Sequence, residues 1–439
     1  MSMVVKNNMS AVNTLNILNK NSSALAKSLQ KVSSGMKING AADDASGYAI
    51  SERMRVQIRG LDQANQNTQN GSSMMKVAEG AVSSTVDILK TLKEKVINAA
   101  NDTNTDADRQ TIQKELDQSI DQIDDNANVT YNGKYLVDGS HNSKTEATTT
   151  ALTNESLDAK TKATSKLTDL KSRTGEELNI HSTDNVTVSY VKQGKTYTTT
   201  FSVGTNTLSA ILAKKALNGT VGLENALSIK SSSAKIGMDG NGNTIYTADN
   251  GSAITLQAQS AGLRGQIAGF TISITTNKGA VNKSANAVLD AFSESIRAQN
   301  SSQDNSIVLQ VGTKANQAIK VGLTDMRSNA LGLKGSDGQT LNVSTQGKAN
   351  AAINVLDNAV QKALDQQTTI GSVESRLEYT SSNLTTASEN VQASESTIRD
   401  ADMAKEMTNY TKNNVLLQAA QSMLAQANQS SSSVLSLLQ

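Results

Sequence analysis

Residues 353–398 read INVLDNAVQKALDQQTTIGSVESRLEYTSSNLTTASENVQASESTI, and within them Leu356, Ala363, Ile370, Leu377, Leu384, Val391 and Ile398 recur every seventh position. Ile353, Val360, Val373 and Ala387 fill in three or four residues away. An apolar edge with a seven-residue period is a seam for a second helix. No proline and a single glycine, Gly371, interrupt it, so the stretch predicts a helix much longer than globular domains normally use.

The partner is expected at the other end of the chain. Val5, Met9, Val12, Leu15, Leu18, Leu25, Leu29, Val32 and Met36 form one stripe in steps of three, four and seven, and Val82, Val86, Leu89 and Val96 form another. The expected fold is mainly α: a long antiparallel coiled-coil rod built from the N- and C-terminal segments, with small β-hairpins and an inserted, β-rich α+β central domain. The expected divisions are an N-terminal helix over 1–45, helical segments over 46–143 and 303–398 that form the two halves of the rod, an inserted domain over 144–302 and a C-terminal helix over 399–439.

Composition narrows the function. Hydrophobic residues are 37% and aromatics 3% of the 439, with no Trp and three Phe, which suits thin helical bundles rather than thick cores. A net charge of +1 lacks the basic footprint of a nucleic-acid binder. No apolar run is long enough to span a bilayer, and no signal-type apolar core is expected at the start. Average usage predicts roughly twenty prolines in such a length, and there are none. Proline would break the helices and add slow isomerisation to the unfolded chain. Zero cysteine excludes disulfides, thiol catalysis and thiolate metal sites, which suits a protein that crosses compartments.

Along the chain, residues 1–42 carry Lys6, Lys20, Lys27, Lys31 and Lys37 and no acid. A membrane-surface role for this basic helix is disfavoured, because its face is diluted with Asn and Ser and holds no aromatic. Thr105 and Asp108 read as an acidic capping box for a helix bearing Ile112, Leu116, Ile120 and Ile123. Asn132-Gly133 and Gln193-Gly194 each sit between β-prone runs, which signals two hairpins. Short helices are expected over 208–217 and 287–296, and strands over 254–258, 270–274, 305–312 and 319–323.

Candidates for chemistry are few. His141 and His181 lie in polar loop surroundings, and DGNGN at 239–243 lacks the glycine and glutamate that a calcium loop needs at its sixth and twelfth positions, so it reads as a turn. Asp43 and Asp44 suit a helix start. Asp400, Asp402 and Glu406 are expected to be neutralised by Arg399 and Lys405. No catalytic, metal or cofactor residue is assigned, and an enzyme is not expected.

The final stretch, Val415 to Gln439, is uncharged, with Leu417, Ala420, Leu424 and Ala427 on one edge and Gln and Ser on the other. Such terminal segments expect to order only against copies of themselves. The residues expected to carry assembly are Val12, Leu15, Leu25, Leu29, Val32, Leu417, Leu424, Leu435 and Leu438. A head-to-tail contact that does not close would then produce a helical filament; an ordinary intramolecular coiled coil is the alternative.

SSGMKINGAADDASGYAISERMR at 33–55 and STIRDADMAKEMTNYTKNNVLLQAAQSMLAQANQ at 396–429 resemble the start and end of bacterial flagellins. NGKYLVDG and LQVGTKANQAI are similar to the strands flanking that family's variable insertion, and VTVSYVKQGKTYTTTFSV resembles an insertion repeat seen in some members. The resemblance implies a self-polymerising subunit of an extracellular motility filament, exported through the flagellar type III channel. It also implies a secretion chaperone on the C-terminal segment, and cap and junction proteins as further partners. A hook-filament junction protein and a secreted adhesin acting through the insertion are the alternatives. Some flagellins engage the flagellin-sensing Toll-like receptor through a run resembling QRVRELAV. The aligned run here is KTLKEKVI at 90–97, so Thr91 replaces the arginine and Lys95 the leucine, while Glu115 keeps a third contact position. Weak receptor binding is expected, since a forked donor and an apolar anchor are both missing.

Overall fold

The computed structural model describes residues 8–162, 164–208, 227–230, 234–246 and 253–437. The α-helices among the described residues are α1 (Met9–Ser34), α2 (Ala45–Ala100), α3 (Asp106–Ala127), α4 (Lys283–Leu289), α5 (Gln346–Arg399) and α6 (Met403–Leu437), and all but the short α4 lie in the terminal parts. Strands β1 (Thr130–Tyr131), β2 (Lys134–Tyr135), β3 (Ala151–Asn154), β4 (Asn185–Lys192), β5 (Lys195–Ser202), β6 (Leu227–Lys230), β7 (Lys235–Met238), β8 (Thr244–Tyr246), β9 (Ala253–Gln257), β10 (Ile267–Thr275), β11 (Ser293–Ile296), β12 (Ile307–Gln310) and β13 (Ala318–Val321) fill the centre. The chain divides into two compact units. One comprises Met1–Thr68, Gln310–Gln317 and Tyr379–Gln439, and the other Gln69–Leu309 and Ala318–Glu378.

In the first unit, capping explains where the helices stop. The Asn8 side chain accepts from the Ala11 N–H at the start of α1, and Gly35 closes its end in the left-handed conformation, φ 69°, with its N–H on the Lys31 carbonyl. Asp44 starts α2 by accepting the Ser46 and Gly47 N–H groups at 3.0 and 2.9 Å. Asp402 does the same for α6 with Ala404 and Lys405. α1 and α6 pack together as an antiparallel pair, since Asn8 donates to the Ala427 carbonyl, Asn21 to that of Leu416 and Asn413 to the Ser28 hydroxyl.

The second unit holds the deepest helical core. Met75, Ala78, Val82, Leu89, Val96 and Ala99 of α2, Leu116, Ile120 and Ile123 of α3, and Ala349, Val355, Leu356, Ala363, Ile370 and Leu377 of α5 are all essentially inaccessible. The capping box at Thr105 and Asp108 forms as expected. Asp108 is held below the usual carboxylate range mainly by the Thr105 hydroxyl. Arg109 is buried and gives its Nε and Nη2 to the carbonyls of Ala99 and Asn101, which satisfies the open end of α2.

The insertion, in the same unit, is built on a three-stranded sheet ordered β10-β4-β5 and a four-stranded sheet ordered β11-β3-β9-β6, both antiparallel. Leu152, Leu157, Leu178, Val186, Val188, Tyr190, Leu256, Phe270, Ile272 and Leu289 share one apolar cluster. Both expected hairpins form. Asn132 and Gly133 have φ of 50° and 76°, and Gln193 and Gly194 have 53° and 71°, the positive pair that a tight two-residue hairpin requires. DGNGN is a turn, its Asp239 carboxylate accepting from the Asn241 and Asn243 N–H groups.

One expected helix is corrected. Residues 287–296 are not one helix: α4 ends at Leu289 and Ser293–Ile296 is a strand paired with β3. Asn282 caps α4 early, and the alternating Ser-Glu-Ser-Ile run finds a free strand edge, so long-range pairing overrides local helix preference. The expected helix over 208–217 lies, beyond Leu208, outside the described residues.

A polar ladder on α5 docks the insertion. Asn354 and Asn358 donate to the carbonyls of Phe270 and Ala268 on β10, at 3.1 and 2.9 Å. Lys362 donates to the Ala330 carbonyl at 2.8 Å, and Gln366 accepts from both the N–H and the hydroxyl of Thr324. Gly269 lets the strand come this close, because a Cβ there would stand 2.7 Å from Val355 Cγ2 and 3.0 Å from its backbone nitrogen. The helix thus supplies the hydrogen bonds that a neighbouring strand would have supplied.

Candidate assembly surface

Packing separates the apolar residues of α1 into a seam and an open set. Toward α6 the less exposed residues are Ala11, Thr14, Leu18, Asn21, Leu25, Ser28 and Val32, alternating in steps of three and four. The matching residues of α6 are Glu406, Tyr410, Asn413, Leu417, Ala420, Leu424 and Ala427. About half of this double row is polar, so the seam fixes register more than it buries grease. Among the residues whose burial is described, only Ser28 of α1 and Ala420 of α6 are fully buried.

The other apolar residues, spread over the faces away from the seam, are open. Met9, Val12, Leu15, Ile17 and Leu29 of α1 are 46–62% exposed, and Met403, Met407, Val415, Leu416 and Met423 of α6 are 42–64% exposed. Single exposed apolar residues are ordinary, but so many on both members of one helix pair are not.

Each residue expected from sequence now has a place. Val12, Leu15 and Leu29 are about half exposed, whereas Leu25, Val32, Leu417 and Leu424 are half-buried on the α1–α6 seam. Leu438 and the side chain of Leu435 lie outside the described residues. Of the α5 seam, Leu356, Ile370, Leu377 and Leu384 are buried, and Val391 and Ile398 are half-buried. Thr91 is exposed with its hydroxyl on the Asp87 carbonyl. Lys95 is ion-paired with Glu115 at 2.9 Å.

Arg399 does not act as expected. Instead of neutralising the acids that follow it, it is buried and gives Nη1 to Glu52 at 2.7 Å and Nε to Met36 Sδ at 3.2 Å, with its guanidinium 5.5 Å from the Tyr48 ring centre. Its hydrogen bond holds the Glu52 carboxyl below the usual range. Around it the Lys37 N–H meets the Arg399 carbonyl at 2.7 Å and the Ala401 N–H meets the Gly35 carbonyl at 2.9 Å. Arg399 therefore ties the end of α1, the start of α2 and the α5–α6 link into one knot. No sequence spacing points to it, because its partners lie more than three hundred positions away. Among the described residues no group of His, Asp or Glu is arranged to hold a metal, and no helix is long and apolar enough to cross a membrane.

Comparison with known proteins agrees with these paired terminal helices. The family model for the bacterial flagellin N-terminal helical region matches residues 5–142, and that for the bacterial flagellin C-terminal helical region matches residues 353–438. A flagellin of Clostridium tyrobutyricum is 34% identical over 428 residues, covering 97% of this chain and 99% of that protein. A flagellin of Bacillus subtilis (strain 168) is 30% identical over 456 residues, covering 99% and 100%. The flagellar filament 33 kDa core protein of Treponema phagedenis is 28% identical over 438 residues, covering 99% and 100%. With both terminal signatures matched and relatives aligned along nearly its whole length, the chain belongs to the bacterial flagellin family, a family of structural proteins, and is a subunit of the flagellar filament.

Proposed function

We propose that the open apolar residues of α1 and α6 are the surfaces through which this subunit polymerises, and that residues 1–45 and 399–439 gain most of their order when neighbouring copies cover them on several sides. The observation that carries this reading is the half-polar α1–α6 seam combined with exposed Val12, Leu15, Leu29, Val415 and Met423. A thin seam leaves conformational entropy poorly compensated in a lone molecule, and a second layer of helix contacts compensates it. In the same scheme 46–143 and 303–398 form the outer core, and 144–302 is the exposed insertion. Purified subunit seeded with filament fragments should elongate, read as rising light scattering. A chain lacking 144–302 should still do so; loss of growth on that deletion would move the assembly role to the insertion.

Secretion through the type III export channel, with a chaperone on the C-terminal segment and a cap at the growing end, belongs to the same proposal and follows the family resemblance. So does weak engagement of the flagellin-sensing Toll-like receptor. Thr91 offers no forked cation, and the Lys95 ammonium occupies the Glu115 carboxylate that a receptor would have to address. In a cell reporter assay the protein should signal far below a flagellin that carries arginine and leucine at these two places; equal potency would refute the reading.

A further inference from the structure

The junction between the insertion and α5 contains carboxyl groups that the filament role does not use. Asp290, at the C-terminal end of α4, accepts from the Ile272 N–H at 3.3 Å and from Asn354 Nδ2 at 3.5 Å. Both bonds are long and come from neutral donors. An ionised carboxylate there also meets the negative end of the α4 peptide dipoles. Burial pushes its carboxyl up to about 6. The charged groups of the same junction are Glu294 and Arg297 from β11 and the residue after it, and Lys362 and Asp365 from α5, with Asp325 also acting on Lys362. Burial raises the Glu294 carboxyl, against the opposing pull of Arg297 and Lys362, and burial brings the Lys362 ammonium down to about 8.

We propose that this junction is an acid-tightened latch: a protonated Asp290 carboxyl strengthens the seating of β10 and α4 on the Asn354–Asn358 face of α5, and an ionised one loosens it. The sign follows from linkage. Asp290 has a folded value above its unfolded 3.8, so its stabilising contribution is full below about 3.8 and is lost as pH rises through about 6. Glu294 acts in the same direction. Lys362, brought down to about 8, begins to lose its proton at pH 7.5; that favours the folded junction as pH rises, so it opposes the Asp290 trend and is small over this window.

Amide hydrogen exchange of the full chain at pH 5.0 and 7.5, corrected for intrinsic rates, reads the latch directly. Amides of 268–274 should exchange about tenfold more slowly at pH 5.0, while those of 116–123 in α3 keep one ratio. Asp290→Asn retains an acceptor for both donors and removes the charge, so it should keep the slow rate at pH 7.5 apart from the part that Glu294 contributes, and Asp290→Asn with Glu294→Gln should be equally slow at both pH values. Glu294→Gln alone should leave the Asp290 response in place. Equal corrected rates for the wild-type protein at the two pH values, or a pH response as large in Asp290→Asn as in the wild type, overturns the proposal.

Discussion

Subunits carrying Leu15→Asp together with Leu29→Asp should fail to add to filament seeds at concentrations where the wild-type chain elongates freely. Both side chains are about half exposed in the subunit, 46% and 52%, so their replacement removes little intramolecular packing. With only about half of each side chain left to leave water, each would contribute about 1 kcal/mol on assembly. Losing two such contributions raises the critical concentration by roughly thirtyfold, at about 1.4 kcal/mol per factor of ten, and the cost of desolvating two carboxylates adds to it. The thermal unfolding of the unassembled subunit should stay near that of the wild type, since exposed sites outside special contacts shift stability by about 0.5 kcal/mol. Normal elongation of the double variant sinks the assembly proposal. A lowered monomer midpoint would instead place these residues in the subunit's own core.

Leu356→Ala should cost the unassembled subunit about 3–4 kcal/mol, the range for emptying a fully buried leucine site that cannot collapse. Val391→Ala, five heptads further along the same seam, should cost about 1 kcal/mol or less, because that side chain is only half-buried. Chemical denaturation followed by circular dichroism measures both. The two positions are indistinguishable in the heptad pattern; what separates them is the number of layers packed above. Near Leu356 the helix also carries Ala351, Ala352, Val355 and Ala359, all buried, so it is covered on more than one face. Near Val391 the covering comes from Leu61, Ala64 and their neighbours alone. Equal costs would mean that the seam, not the layering, sets local stability.

The helical ends were legible because their signals are local. A seven-residue apolar period, Asp44 as a helix start, the Thr105–Asp108 box and glycine-bearing turns at 132–133 and 193–194 each act within a few residues. The strand at 293–296 was not legible, because a free edge of β3 decided it. Nor was the role of Asn354, Asn358, Lys362 and Gln366. Their four-residue spacing is plain in the sequence, yet it resembles any solvated helix face until the carbonyls of β10 are brought against it.

By itself, the order of residues determined that the terminal segments are helical, where α2 and α3 begin, and that the two extremities carry apolar edges in need of company. Tertiary structure alone decided how that company is shared. It turned Leu18 and Leu25 toward α6 and left Leu15 and Leu29 in water, and it sent Arg399 to Glu52 rather than to the acids beside it. The reason is physical: periodicity fixes the direction of a side chain around its own helix, whereas burial and charge pairing depend on which distant surface arrives to meet it.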